Sequence, residues 1–497
     1  MKDKFKNLFI APDQVSNNCI PIIQNESATH DNCIKKRYNS YTCFIPENLD
    51  LEELVITNPP TIPNFHLDYL VYMAGLLIEI PFANKDFEMD FVPINSRLVQ
   101  ARVRNYRKYL DYLIDSGIIE ENVQYIVGSK SRGFRYTRMY QTSTIAYSLT
   151  KNTLIKSLSS FKEINYSSYE VDKYLPTNKR SRLDIEKRDL SYLTNWLNSK
   201  LTIDYAGALS CLKQLREEEI LNPDIENPNQ RFMYRQTALL KFHKGIFLPN
   251  EDATAGRLHS ALTQIKGILR PYMRYDGKKL IAVDVVNSQP YLSIVLLNLE
   301  KLIQNNIIQL IQNINSKHNS ESYSIMVVKK VEAASTTTST KLYIDLVTSG
   351  NFYEEFGLML KTNGILDDLL DKNLTRKKAK EATFSALFSP NNAIAYSEEV
   401  KIFQKAFPEL YEVFKLIKSG RGHHNTLAIL LQSFEANLIL HKACKIITDK
   451  KSDVPILTLH DSIITTEGYE NYIQSVMESV LTEAIGVPPI LKIERWE

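Results

Sequence analysis

Long apolar runs are missing from this sequence. No segment approaches the roughly eighteen consecutive apolar residues that cross a bilayer, so nothing reads as a membrane anchor. The opening MKDKFKNLFIAPDQ is basic but has neither a continuous apolar stretch nor a small-residue cleavage site, which argues against a secretion signal and makes a cytoplasmic location the expectation. Cysteine is scarce: 5 residues, an odd number, widely spread and with no C-x-x-C pair, which excludes a disulfide framework. Cys19, Cys33 and Cys43 with His30 match no common zinc spacing. An excess of charge of one sign is also absent: 60 Lys and Arg against 57 Asp and Glu leave +3, so any polyanion must be met by local clusters.

What is present is an ordinary globular composition, 44% hydrophobic and 24% charged over 497 residues, long enough for about two to four domains. Residues 1–65 lack a sustained period and predict an irregular leader. Residues 66–150 predict a winged-helix-like basic module. Its helix clusters Arg97, Arg102, Arg104 and Arg107, and a following strand-turn-strand carries Lys130, Arg132 and Arg135. Arg102, Arg104, Arg132 and Arg135 are the candidates for a nucleic-acid patch, with Phe134 and Tyr136 as stacking neighbours; a solvated helix face beside an ordinary hairpin is the plain alternative. Residues 151–250 predict a polar linker and a thumb-like helical region. Asp184 and Glu186 form a D-x-E pair, but in a charged stretch with no partner carboxylates, which argues against a proofreading site.

Two acids interrupt apolar runs. IAVDV predicts a strand buried on both faces with Asp284 as its one charge, and VPILTLHDSIITTEG predicts a hairpin with His460 and Asp461 at its tip. Carboxylates on adjacent strands can share two Mg²⁺ ions, or Mn²⁺, and clamp a nucleoside triphosphate against a primer 3′-hydroxyl. Between them, LTRKKAKEATFSALFSPNN predicts a helix with Arg376, Lys380, Phe384 and Phe388 on one face. Two cations followed by two aromatics suit a triphosphate at one end and a base at the other.

The order acid strand, cation-aromatic helix, His-Asp hairpin resembles the family A (DNA polymerase I-like) enzymes over residues from about Thr254 to Glu497. TAGRLHS is similar to that family's T-x-G-R-L-S-S stretch, which implies that Arg257 lies against the primer-template, and Arg270 resembles the arginine of the segment that follows. Asp284 takes the place of the motif A aspartate, and Arg376, Lys380, Phe384 and Phe388 that of the fingers-helix pattern. Gln432 takes the place of a glutamine touching the primer-template, and His460 with Asp461 that of motif C. The resemblance implies an α+β right-hand fold of palm, fingers and thumb. Its polymerase core spans 251–497, and residues 313–341 form a polar, mobile insertion.

Two positions depart from the family pattern. Gln289, five residues after Asp284, stands where a glutamate excludes a ribose hydroxyl, and Phe388-Ser389 replaces Tyr-Gly. The resemblance thus implies a DNA polymerase binding primer-template and nucleoside triphosphates. A primer-independent RNA polymerase or primase stays open through Gln289, and a non-catalytic DNA-binding initiator through the basic module.

Overall fold

The computed structural model describes residues 41–84, 90–122, 132–164, 189–315, 318–420 and 423–497. Cys19, His30, Cys33, Lys130, Asp184 and Glu186 lie outside them. The chain divides into two compact units. The first comprises Met1–Leu175, Ile203–Leu248 and Ala261–Tyr272; the second comprises Pro176–Thr202, Pro249–Ser260 and Met273–Glu497. No helix among the described residues is long and apolar enough to cross a membrane.

In the first unit, strand β1 (Tyr41–Pro46) pairs antiparallel with β5 (Thr144–Leu149) from Tyr41↔Leu149 to Pro46↔Thr144, and all six residues of β1 are buried. The stretch expected to be irregular therefore supplies a core strand. Its pairing partner lies a whole module away, so no local period betrays it. Helix Leu67–Asn84 buries Leu70, Val71, Tyr72, Met73 and Ala74 in succession, as a helix enclosed on all sides does. Helix Tyr106–Asp115 ends at Gly117, whose φ of +71° suits a residue without Cβ. A small sheet then joins β2 (Val92–Pro93), β4 (Gly133–Tyr136) and β3 (Ile119–Asn122) in that order.

Helices Tyr205–Leu221 and Pro228–His243, expected as a separate thumb-like region, belong to this same unit. The Gln236 carbonyl accepts from the Thr144 amide at 2.8 Å, and Lys241 meets Glu79 at 2.8 Å with the two side chains only 3% and 6% exposed. Burial pushes the Glu79 carboxyl up and Lys241 draws it back, so each ion is tolerable only because of the other. Lys241→Met should cost about 3–5 kcal/mol by leaving a buried acid alone, whereas Lys241→Met with Glu79→Leu should cost clearly less. Chemical denaturation of the two variants checks this.

The second unit is built on a sheet ordered β11 (Leu457–Leu459), β12 (Ser462–Thr466), β10 (Lys278–Val285), β9 (Met273–Tyr275) and β6 (Leu201–Ile203), with β13 (Leu491–Arg495) also pairing with β10. Asp276 and Gly277 at φ +50° and +75° form the two-residue turn that hands β9 to β10, the backbone a tight hairpin demands. Strand β10 buries Leu280, Ile281, Ala282, Val283 and Val285, which leaves Asp284 as the charged exception. Helices cover the sheet and enclose an aromatic core in which Phe352, Phe356, Phe403 and Phe407 pack ring to ring.

The expected mobile insertion at 313–341 is a packed element. Ser320 caps helix Glu321–Ser335 by accepting from the Tyr323 amide, and Tyr323, Val327, Val331 and Ala334 form a buried stripe. Its outer face carries the serines, lysines and glutamates that make the segment look like a loop in composition.

Candidate active site

Strand β10 places Asp284 where the β10–β12 register brings Ser462 opposite it, since Val283 faces Ile463. The Ser462 hydroxyl donates to Asp284. The turn from β11 to β12 is tight because His460 adopts φ +58°, a left-handed conformation that costs energy in a residue with a bulky side chain. That turn sets Asp461 beside Asp284. Burial first, and then the like charge of Asp284, push the Asp461 carboxyl up to about 6, although the Ser288 hydroxyl and Arg257 stabilise its charged form.

Beside this pair lies a third acid, absent from the sequence-predicted residues. Glu435, on helix Thr426–Ala436, pairs with Arg257 at 2.7 Å with its side chain 3% exposed, and it accepts from the Gln289 amide nitrogen at 2.6 Å. Burial raises its carboxyl to about 7 against the pull of Arg257, and Asp461 adds to the rise. The clue was available: Glu435 is a lone acid inside the apolar run LAILLQSFEANLIL, as Asp284 is in its strand. Gln432 sits one helical turn earlier and is half-buried.

Arg257 precedes β8 (Leu258–His259), which pairs with β7 (Asn250–Glu251). The connecting loop is organised by Asp252, which accepts from the amides of Thr254, Ala255 and Arg257 and meets His259 at 3.3 Å. Although burial alone would raise the Asp252 carboxyl, His259 and these amides hold it below the ordinary range. His259 in turn packs edge-on to His460 with ring centroids 6.0 Å apart. The sequence-predicted Arg257, Gln289, His460, Asp461 and Asp284 thus come together. Arg270 falls in the first unit, within the short segment Gly267–Tyr272.

Helix Lys372–Phe388 starts at Asp371, whose carboxylate accepts from the Asn373 and Leu374 amides at 2.8 and 3.0 Å. Its Thr375, Ala379, Thr383 and Ala386 face the core. The predicted stripe runs along another face: the Lys380 ammonium lies 5.6 Å from the Phe384 ring, and Phe384 lies 5.5 Å from Phe388. Arg376 is anchored by Glu354 at 2.8 Å and lies 5.3 Å from the Tyr353 ring. Burial raises the Tyr353 phenol, which also feels both Arg376 and Asp461; this electrostatic link joins the foot of the helix to the acid pair.

At the far end of the helix, Lys418 donates to the carbonyls of Ala386 and Ser389 at 2.7 and 3.1 Å, satisfying oxygens a helix terminus leaves open. Burial pushes its ammonium down to about 7. Above pH 7 the folded protein has shed that proton while the unfolded chain, at 10.5, keeps it, so stability rises with pH across this window. The thermal midpoint of the unaltered protein should therefore gain on that of Lys418→Met between pH 6 and pH 9, as read by differential scanning fluorimetry.

Residues of the basic patch have acidic partners within the module. Arg132 pairs with Glu121 at 2.7 Å, Arg107 also pairs with Glu121 at 2.7 Å, and Arg135 engages Glu120 and Asp90. Arg102 donates to the Tyr72 hydroxyl at 2.9 Å, while Arg104 is exposed. Counting cations along one helix and one hairpin missed the acids Asp90, Glu120 and Glu121, which lie beside them in the fold. Arg132 and Arg135 are ion-paired within the module, with half of the Arg132 side chain still exposed.

No group of three His, Cys, Asp or Glu side chains suited to hold a metal ion occurs among the described residues. The pair Asp284 and Asp461 nevertheless fits divalent cations of the Mg²⁺ or Mn²⁺ kind: both are hard oxygen donors, and their like charges raise the proton affinity of Asp461.

No protein-family model matches the chain, and no curated protein matches it in sequence. Among solved structures it is similar to the POL domain of Pol1 from M. smegmatis, in complex with DNA primer-template and dNTP. The identity is 11%, the overlap covers 73% of this chain and 76% of that one, and the TM-score is 0.30. A likeness at that level assigns neither fold nor activity.

Proposed function

We propose that this chain is a template-directed nucleotide polymerase, of the family A (DNA polymerase I-like) kind, that extends a primer 3′-end with deoxynucleotides. The observation that carries the reading is the Asp284 and Asp461 pair, Asp284 on β10 and Asp461 in the strained turn that leads into the adjacent strand β12. Divalent metal bound there would supply charge neutralisation for the triphosphate and a lowered pKa for the attacking hydroxyl.

The chain's own residues do the positioning. The Lys380 ammonium contacts the triphosphate, and Arg376, oriented by Glu354, adds charge at the same end. Phe384 and Phe388 offer ring faces to the nascent base pair. His460 fixes the turn and orients the primer terminus. Arg257, Gln432 and Arg270 contact the primer-template, and Arg104 with Arg102 offers a phosphate contact on the first unit. In this reading the palm is the sheet of the second unit, and the fingers are the helices around Lys372–Phe388.

The test is a thermal shift. Mg²⁺ with a deoxynucleoside triphosphate should raise the midpoint of the unaltered protein and leave those of Asp284→Asn and Asp461→Asn unmoved. Equal stabilisation of all three proteins would remove the acid pair from nucleotide binding. One observation favours a second reading, a polymerase that uses ribonucleotides: the Gln289 nitrogen is engaged by Glu435, so an amide, not a carboxylate, occupies the position expected to exclude the 2′-hydroxyl.

A further inference from the structure

A cavity of about 350 Å³ lies within the second unit, away from the acid pair. Tyr192, Trp196 and Tyr275 line it, together with Asn195, Asn198 and Lys200. Tyr275 ends β9 and pairs with Lys278, at the opposite end of β10 from Asp284. At about 3.3 Å per residue, β10 separates that register from Asp284 by about 20 Å. Whatever fills the cavity is therefore not the nucleotide at the acid pair.

The rings are held in place. The Trp196 and Tyr275 rings meet nearly edge to face, at 67° with centroids 5.9 Å apart. Tyr275 is 4% exposed, and its hydroxyl accepts from the Asn198 amide nitrogen at 3.2 Å. The Tyr192 hydroxyl donates to the Leu440 carbonyl at 2.8 Å. Trp196 itself stays half-buried, although an indole gains most from full burial. The chain has 2 tryptophans, and the other, Trp496, is 2% exposed.

Two polar groups stand beside this aromatic wall. Asn195 is exposed, and its carboxamide makes no hydrogen bond among the described residues. The Lys200 ammonium pairs with Asp276 at 3.4 Å, but the two side chains are 58% and 65% exposed, so the pair is weak enough to open to a stronger anion.

We propose that this cavity is a second nucleotide-binding site. An unpaired base stacks on Trp196, Asn195 offers a donor and an acceptor to its edge, and Lys200 takes the phosphate. A neutral sugar would leave the ammonium unused, and an apolar ligand would leave both polar groups unused. The nucleotide is either a free mononucleotide or an unpaired residue of a strand. Binding here needs no chemistry at the acid pair.

The experiment follows tryptophan emission of the full chain in chelator, which keeps divalent metal from the acid pair. Trp196 reports on the cavity, while the buried Trp496 supplies a constant background. The probes are thymidine monophosphate, oligothymidylate and deoxyribose 5-phosphate, which lacks a base. One or both of the first two should quench part of the emission saturably, and deoxyribose 5-phosphate should not. Lys200→Met should raise the quenching midpoint about tenfold without changing the melting temperature. In Trp196→Leu the remaining emission should not respond.

Quenching by the mononucleotide places a free nucleotide in the cavity; quenching by oligothymidylate alone places an unpaired strand there. No saturable quenching with either probe would overturn the assignment. So would equal quenching by deoxyribose 5-phosphate, an unmoved midpoint in Lys200→Met, or a response that persists in Trp196→Leu. Failure here in a protein that extends primers would remove this site alone. Quenching in a protein that extends no primer would leave the site standing and contradict the polymerase reading.

Discussion

Asp461→Asn should abolish nucleotide addition, by at least about a thousandfold, while making the protein more resistant to heat. Both effects have one cause. Burial, and then the like charge of Asp284, push the Asp461 carboxyl up from its ordinary 3.8 to about 6. A folded value above the unfolded one means that the ionised group opposes folding. The penalty is absent below about pH 4, grows through the interval to pH 6 and is complete above it. An amide of the same shape removes the charge and with it the penalty. Scans in chelator should show the variant melting a few degrees above the unaltered protein at pH 8, with the gap narrowing at pH 5. A variant that is both inactive and less stable would point to a structural role for the carboxylate.

Lys380→Met should raise nucleotide KM and lower kcat together, with a combined loss in kcat/KM of about a hundredfold or more, and should leave the fold intact. The side chain is exposed and makes no ion pair among the described residues, so its charge is available to a ligand. Arg376 differs. It is already bound to Glu354 and packed on Tyr353, so Arg376→Met should carry a stability loss alongside the kinetic one. Steady-state kinetics with parallel melting curves separate the two variants. Equal melting and equal kinetics would show that the anchoring of Arg376 has no consequence.

The parts of the site that were legible in the sequence share a physical reason. A single charge in a strand buried on both faces is conspicuous, and so is an acid at a hairpin tip; Asp284 and Asp461 are of these kinds. The stripe Arg376, Lys380, Phe384, Phe388 was legible because helical spacing alone puts it on one face, and the contacts from Lys380 to Phe388 follow from that spacing. What was hidden depends on partners far away in the chain. Strand β1 has no period of its own and acquires its meaning from β5. Arg132 and Arg135 look free until the fold sets Glu120, Glu121 and Asp90 beside them. Helix Glu321–Ser335 shows a polar composition because only one narrow stripe of it is buried.

Glu435 is the most instructive omission. Its charge stands out in an apolar helix, yet its role needs Arg257 and Gln289, which the chain supplies from two other elements. Position 289 carries an amide, and the Glu435 carboxylate, contributed by a different helix, accepts from its nitrogen.

The measurement that bears most directly on the central claim is extension of a labelled primer annealed to a DNA template, with Mg²⁺ and each of the four deoxynucleotides offered singly, and ribonucleotides in parallel. Addition of only the nucleotide complementary to the templating base, lost in Asp284→Asn and in Asp461→Asn, is the result expected. Extension that ignores the template, survives either substitution, or fails with every nucleotide would contradict the claim that Asp284 and Asp461 form a template-directed polymerase site.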